Sequence, residues 1–289
     1  MQAVGDEVPT PVDLPPFVDE VWLQERADEL LLADVRWSLD GSESFDTYLE
    51  GHLPGAIYVD LDSVLADAPS PSCGRHPLPS PEAFARGLGV AGIAEDEVVV
   101  AYDEGPGVIA ARLAWMLRTI GQPAAVLDGG LGAWTGEIED GEVSRPPVRR
   151  APRPWPSERL ADAELTARLS RSPDAVVLDA RDPERYRGDV EPIDPRAGHI
   201  PGAISLPFAH NLDADGRLRP TDELRVRFAE TGVLDAVEVV AYCGSGVTAC
   251  HDLLVLEHVD GRSGRLYSGS WSAWSSDPER AVATGPDPG

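Results

Sequence analysis

The chain has no lysine. All 24 of its basic residues are arginine, set against 50 acidic residues, which leaves a net charge of −26 over 289 residues. A polyanionic surface of this kind argues against nucleic acid or an anionic membrane as the main partner. An anionic substrate would need a local arginine cluster to overcome the overall field, so individual arginines are worth following. Cysteine is scarce as well. Cys73, Cys243 and Cys250 are too few, and too far from any metal-ligand spacing, for a zinc site or a disulfide framework. No apolar run approaches the roughly 20 residues that span a bilayer. The first residues, Met1 to Glu7, lack the basic start and apolar stretch of a signal peptide. A reducing cytoplasm is the expected compartment, and it would keep the thiols free.

What is present is order. A hydrophobic content of 42% is ordinary for a globular protein, and 289 residues suit two domains of normal size. Internal repeats point the same way. Gly51-His52-Leu53-Pro54-Gly55-Ala56-Ile57 recurs 147 residues later as Gly198-His199-Ile200-Pro201-Gly202-Ala203-Ile204. Leu31 to Arg36 matches Val176 to Arg181, which aligns Asp34 with Asp179 and Arg36 with Arg181. Ala101-Tyr102-Asp103 matches Ala241-Tyr242-Cys243, and Leu127 to Trp134 echoes Leu266 to Trp274. Four segments repeated in one order imply two homologous domains. Their expected extents are residues 1–140 and 157–289. The residues between them, 141–156, hold five prolines and are expected to form an extended tether.

Within each half, short apolar runs (98–102, 124–127, 175–178) read as parallel strands buried on both faces. Segments of helical period lie between them, at 81–88, 108–120 and 221–231. The alternation predicts α/β domains, each a mostly parallel sheet flanked by helices. Ligands of such sheets bind at the carboxyl ends of strands, and there the chain places its most informative segment, Tyr242-Cys243-Gly244-Ser245-Gly246-Val247-Thr248-Ala249. A strand over 237–242 leads into Cys243, and a helix over 247–259 follows. Backbone N–H groups and a helix N-terminus therefore converge on the sulfur, a setting that stabilises an anion and makes Cys243 a candidate nucleophile. Gly244 and Gly246 let the backbone curl around the sulfur, and Thr248 is positioned to bond within the loop or cap the helix. Cys250, inside that helix, reads as a small buried hydrophobe, and Cys73 as an incidental loop thiol. His52 and His199 recur in both halves and so read as structural. Asp34 with Arg36, and Asp179 with Arg181, read as ion pairs beneath the loops.

The Cys243 loop, the paired Gly-His-x-Pro-Gly-Ala motifs and Gly269-Ser270-Trp271 together resemble tandem-domain rhodaneses over nearly the whole chain, from about Val12 to Val282. More narrowly, the loop is similar to that of the 3-mercaptopyruvate sulfurtransferase branch. The resemblance implies a ping-pong reaction. A cysteine thiolate takes sulfane sulfur from a small-molecule donor, and the persulfide passes it to a thiol, to thioredoxin or to cyanide. It implies no metal and no cofactor. It also implies a catalytically silent first domain, consistent with Asp103 at the position of Cys243.

The resemblance carries further residues. Gly244, Ser245, Gly246, Val247 and Thr248 form the persulfide-cradling loop. Ser245 matches a serine that handles protons together with a histidine and an aspartate, here His76 and Asp62. Arg185 matches a carboxylate-binding arginine. The second such arginine falls where this chain is two residues shorter; Arg196 is the nearest candidate and Arg187 the fallback. The branch often has Asp-Gly-Ser-Trp where this chain has Ser268-Gly269-Ser270-Trp271, so the bracing of the loop is expected to differ. Neutral Gly244 and Ser245 favour mercaptopyruvate over dianionic thiosulfate, which remains the alternative donor. A phosphatase of Cys-x5-Arg type shares this kind of loop but needs an arginine where Ala249 stands. A non-catalytic persulfide carrier or regulatory module is the other rival. The tandem domains supply their own cleft, so a monomer is expected, without nucleic-acid or membrane partners.

Overall fold

A computed structural model describes residues 14–38 and 44–289. Residues 1–13, which the sequence reading includes in the first domain, and 39–43 lie outside the described residues. The first half contains β1 (Phe17–Val18), α1 (Glu20–Gln24), β2 (Leu30–Asp34), α2 (Ser44–Glu50), β3 (Ile57–Tyr58), α3 (Pro81–Val90), β4 (Val98–Tyr102), α4 (Ala110–Thr119) and β5 (Ala124–Leu127). The second contains α5 (Ala163–Leu169), β6 (Ala175–Asp179), α6 (Pro183–Arg187), β7 (Ile204–Ser205), α7 (Thr221–Glu230), β8 (Glu238–Tyr242), α8 (Ala249–Asp260), β9 (Arg265–Leu266) and α9 (Ser270–Ser276). The strands form two sheets, ordered β1-β5-β4-β2-β3 and β7-β6-β8-β9, and every neighbouring pair is parallel.

The central strands are what continuous apolar runs become. All five residues of β4 are buried, as a strand covered by helices on both faces requires. The repeat also appears in register: β2 pairs Asp34 with Tyr102 of β4, and β6 pairs Asp179 with Tyr242 of β8. The repeated Asp-x-Arg and Gly-His motifs fasten each sheet to its neighbouring loop. Arg36 donates to Asp34 at 2.7 Å and to the Gly51 carbonyl at 2.9 Å, while Arg181 donates to Asp179 at 2.6 Å and to Gly198 at 2.7 Å. His52 stacks on Tyr48 and His199 on Tyr186, each ring bonded through Nδ1 to that tyrosine's carbonyl. These histidines lock turns.

The two halves meet along α4 and α8. All ten residues of α4 are buried, and one apolar cluster runs from Leu31, Val99 and Leu113 of the first half to Val239, Leu254 and Leu266 of the second. Each of these helices follows the loop at the end of its sheet's central strand, so the interface brings the two loops' supports together. Residues 141–156 form no regular element, but they are pinned rather than free. Val148 N–H donates to the Gly89 carbonyl at 2.9 Å, Arg145 pairs with Glu97, and Trp155 Nε1 donates to Pro79 at 2.8 Å.

Candidate active site

β8 delivers Cys243 to the carboxyl edge of its sheet, and the chain then turns sharply at Gly246. Gly246 has φ of +83°, and a Cβ there would lie 2.6 Å from the Ser268 carbonyl oxygen, so only glycine fits. The turn points the Gly246 N–H at Cys243 Sγ, 3.1 Å away. The start of α9 braces the loop from behind. Cys243 N–H donates to Ser270 Oγ at 3.1 Å, and the Cys243 and Gly244 carbonyls accept from the N–H groups of Trp271 and Ser272, both at 2.9 Å. Ser270 is strained for this task. Its φ is +52°, and its hydroxyl donates in turn to the Tyr267 carbonyl. The braces come from Ser270, Trp271 and Ser272. α8 begins at Ala249, two residues later than the sequence suggests, because Val247 and Thr248 are used by the loop. Thr248 occupies the N-cap position but makes no side-chain cap bond.

The first domain shows what such a loop holds. Asp103 stands at the position equivalent to Cys243, and its buried carboxylate accepts from the N–H groups of Gly107 at 2.9 Å, Ile109 at 2.7 Å and Ala110 at 3.1 Å. Burial pushes its pKa up while those donors pull it down. The second loop is one residue shorter, so Gly107 (φ +81°) corresponds to Gly246 (φ +83°), and Ile109 and Ala110 to Thr248 and Ala249 at the entry to α8. The same cradle thus surrounds a carboxylate in one domain and faces a thiol in the other.

Across the interface, a loop of the first domain reaches over Cys243. Leu61–Leu65 forms one wide π-helical turn that presents Asp62, and His76 follows on the next loop. His76 Nδ1 lies 2.8 Å from Ser245 Oγ, and its Nε2 lies 3.6 Å from Asp62 Oδ1. Trp37 sets both partners, donating from Nε1 to Asp62 Oδ2 at 3.1 Å and meeting the imidazole edge-on at 5.3 Å. Burial lowers the His76 pKa to about 4, and Arg112 and Arg75 push it further down against the pull of Asp62. The ring is therefore neutral near pH 7. Asp62 favours the Nε2–H tautomer, which leaves Nδ1 to accept from the Ser245 hydroxyl.

Arg112, fully buried on α4, holds this assembly together. Its guanidinium donates to the Gly246 carbonyl at 2.8 Å, to His76 at 3.1 Å and to Leu65 at 3.2 Å. One side chain of the first domain thus fixes the Cys243 loop and the two loops that carry Asp62 and His76.

A cavity of about 220 Å³ opens above Cys243, lined by Trp37, His76, Arg75, Arg185, Ser245 and Thr248 among others. Cys243 itself is only 1% exposed, at the floor. Arg185, in the last turn of α6, donates to Glu191 at 2.6 Å and to Asp194 at 3.1 Å.

With this geometry in view, the rhodanese-like domain family model matches residues 18–137 and, a second time, residues 162–277. The chain belongs to the rhodanese family. A Pseudomonas aeruginosa protein named for 3-mercaptopyruvate sulfur transfer is 46% identical to it, over 89% of this chain and 93% of that one. A Mycobacterium tuberculosis protein named for thiosulfate sulfur transfer is 39% identical over 99% of both. Among solved structures, the 3-mercaptopyruvate sulfurtransferase SseA of Escherichia coli superposes with a TM-score of 0.77 at 36% identity, covering 89% of this chain and 99% of that one.

In this rhodanese the structure gathers Cys243, Gly244, Ser245, Val247, Thr248, His76 and Arg185 around one cavity, with Gly246 and Asp62 directly behind. It does not bring the other two arginines there. Arg196 spends its guanidinium on four backbone carbonyls, those of Ser275, Arg280, Trp274 and Asp277, where it closes the end of α9. Arg187 pairs with Asp189 at the surface. Arg196 thus lies against the end of α9 and does not line the cavity. Sequence reasoning missed two residues. Arg75 lines the cavity, and its signal was adjacency to His76. Arg112 was visible as a charge inside an otherwise apolar helix.

Proposed function

We propose that the chain is a sulfurtransferase that takes sulfane sulfur from 3-mercaptopyruvate on Cys243 and hands it to a thiol, to thioredoxin or to cyanide. The observation that carries the reading is the chain of contacts from Cys243 through its own loop to Ser245, His76 and Asp62 across the domain interface. In the first half-reaction the Cys243 thiolate attacks the donor sulfur, the donor carbon–sulfur bond breaks, and its electrons form the enolate of pyruvate. Ser245 and His76 move the donor's thiol proton toward that carbon, so no net proton is taken up. The persulfide's outer sulfur takes the place in its loop that the Asp103 carboxylate takes in the other, held by N–H donors at the entry to α8. In the second half-reaction an acceptor thiolate or cyanide attacks the outer sulfur, and Cys243 leaves as a thiolate. The first domain, with Asp103 already filling its cradle, contributes His76, Asp62 and Arg112 rather than a nucleophile.

Neutral Gly244 and Ser245 beside the sulfur support a donor whose charge lies away from the transferred atom, and Arg185 is the group we assign to its carboxylate. Arg187 and Arg196, with their donors engaged elsewhere, are left out of this assignment. The relative named for thiosulfate supports a second reading with the same persulfide and a dianionic donor. Steady-state rates with both donors separate the two. The proposal expects kcat/KM to favour mercaptopyruvate and Arg185→Ala to depress it. A preference for thiosulfate, with mercaptopyruvate kinetics unaffected by Arg185→Ala, would overturn the donor assignment.

A further inference from the structure

Phe208 lines the Cys243 cavity from a short 3-10 turn, Phe208–Asn211, that follows β7. One turn of this kind closes few hydrogen bonds of its own, so its position comes from what it is tied to. Here both ends are tied. Phe208 N–H donates to the Ala180 carbonyl at 3.1 Å. Arg227 of α7 spans the turn, donating to the Pro207 carbonyl at 2.8 Å and, through Nε, to Asn211 Oδ1 at 3.0 Å. Asn211 is fully buried and donates from Nδ2 to Asp252 Oδ1 at 2.7 Å.

Two consecutive residues of α8 complete the support. Asp252 holds the end of the turn, while His251 meets the Phe208 ring edge-on at 6.3 Å and Phe17 of the first domain at 5.4 Å. His251 is fully buried, and neither ring nitrogen has a hydrogen-bond partner among the described residues, so packing is what it supplies. Asp252 serves as an acceptor rather than as a charge. Its side chain is fully buried, its Oδ2 has no hydrogen-bond partner among the described residues, and burial holds its pKa up at about 8. The protonated carboxyl still accepts from Asn211 through Oδ1. Both residues lie in the first turn of α8, the helix that leaves the Cys243 loop at Ala249. One helix therefore carries the sulfur's loop and the support of a cavity wall.

We propose that Asp252, Asn211 and Arg227 are positioning residues that hold Phe208 as a size limit on the sulfur acceptor. The proposal rests on Cys243 passing sulfur to an acceptor, whichever donor loads it. Cys243 is 1% exposed at the floor of a cavity of about 220 Å³, so the outer sulfur of its persulfide is met inside that space. Cyanide needs little of the room. A bulky thiol must fit its substituents against the walls while its thiolate bonds to the outer sulfur and the bond to Cys243 breaks. Excess bulk is rejected by a wall that is packed and tied, and admitted by one that yields.

The test loads Cys243 from mercaptopyruvate, or from thiosulfate should that prove the donor, and compares glutathione with cyanide as acceptor. The readout is the ratio of kcat/KM for glutathione to that for cyanide. Both values come from one preparation, so a variant that folds incompletely still reports it. In Phe208→Ala the ratio rises about tenfold or more, the scale on which a pocket discriminates by size. Asn211→Ala and Arg227→Met raise it in the same direction, whereas Asp252→Asn, which keeps an acceptor for Asn211, holds the parent ratio and Asp252→Leu does not. An unmoved or lowered ratio in Phe208→Ala overturns the size limit. A raised ratio in Phe208→Ala with unmoved ratios in Asn211→Ala and Arg227→Met overturns the positioning role. A parent protein that passes sulfur to neither acceptor overturns the sulfurtransferase reading and the proposal with it. One that passes it, with every ratio unmoved, overturns the proposal alone.

Discussion

His76 of the first domain lies 2.8 Å, through Nδ1, from the Ser245 hydroxyl of the second. Neither domain makes this contact by itself; docking along α4 and α8 brings together the two ends of the relay we propose. Removing either end should leave Cys243 in place and slow proton transfer. His76→Ala and Ser245→Ala are each expected to lower kcat with mercaptopyruvate by roughly 10²-fold or more, the usual worth of a positioned acid–base group. Stopped-flow measurement of pyruvate release checks this.

The buried setting of His76 also fixes a pH profile. Its pKa stands at about 4 rather than the ordinary 6.5, so the neutral ring that accepts from Ser245 persists well below neutrality. The acid limb of kcat/KM for mercaptopyruvate is therefore expected near pH 4, with little change through pH 6.5. A limb centred at 6.5 would mean that the ring is solvated when it works.

Gly246 offers a test of loop geometry. Alanine there must adopt φ of +83° and drive its Cβ to 2.6 Å from the Ser268 carbonyl oxygen. Gly246→Ala should cost about 1–3 kcal/mol of stability and lower kcat by moving the N–H now aimed at Sγ. Thermal unfolding and donor kinetics on the same variant read both.

Arg112 couples stability to activity in another way. In Arg112→Met the Gly246, His76 and Leu65 carbonyls lose their shared donor. Each buried acceptor left unsatisfied costs about 1–3 kcal/mol, so denaturant midpoints should fall clearly. The remaining folded protein should show a lower kcat than its Cys243 thiol content accounts for.

Asp252 of α8 is buried beside Asn211, and burial pushes its pKa up to about 8, against Arg227. The folded chain then holds a proton that the unfolded chain releases above about pH 4, so stability is lost as pH rises from about 4 to about 8. Asp252→Asn removes that titration. The stability of the variant relative to the parent should grow over this window, by at most about 1.4 kcal/mol per pH unit, and level off above it. Denaturation curves across the window measure the difference.

Much of this was legible in the chain. The offset repeats carried the two domains, and apolar runs such as 98–102 became strands at their expected limits because burial on both faces leaves no alternation to misread. The Cys243 loop was legible because glycine, cysteine and a following helix leave few geometries. Contacts set by how the domains dock were harder. Arg112 looks like a stray charge until its three carbonyl partners are assembled from three loops. Arg196 looks like a substrate ligand until α9 and the residues after it fold over it and engage all three guanidinium nitrogens. Asp194 gave no signal, since its pairing with both Arg185 and Arg75 exists only once Arg75 arrives from the other domain.

The central claim is that Cys243 carries the sulfur. Peptide mass spectrometry after brief exposure to mercaptopyruvate, without acceptor, reads it directly. The expected result is one added sulfur on the Cys243 peptide and none on those of Cys73 or Cys250, with turnover abolished in Cys243→Ser. Sulfur absent from Cys243, or pyruvate still released by Cys243→Ser, would contradict the account.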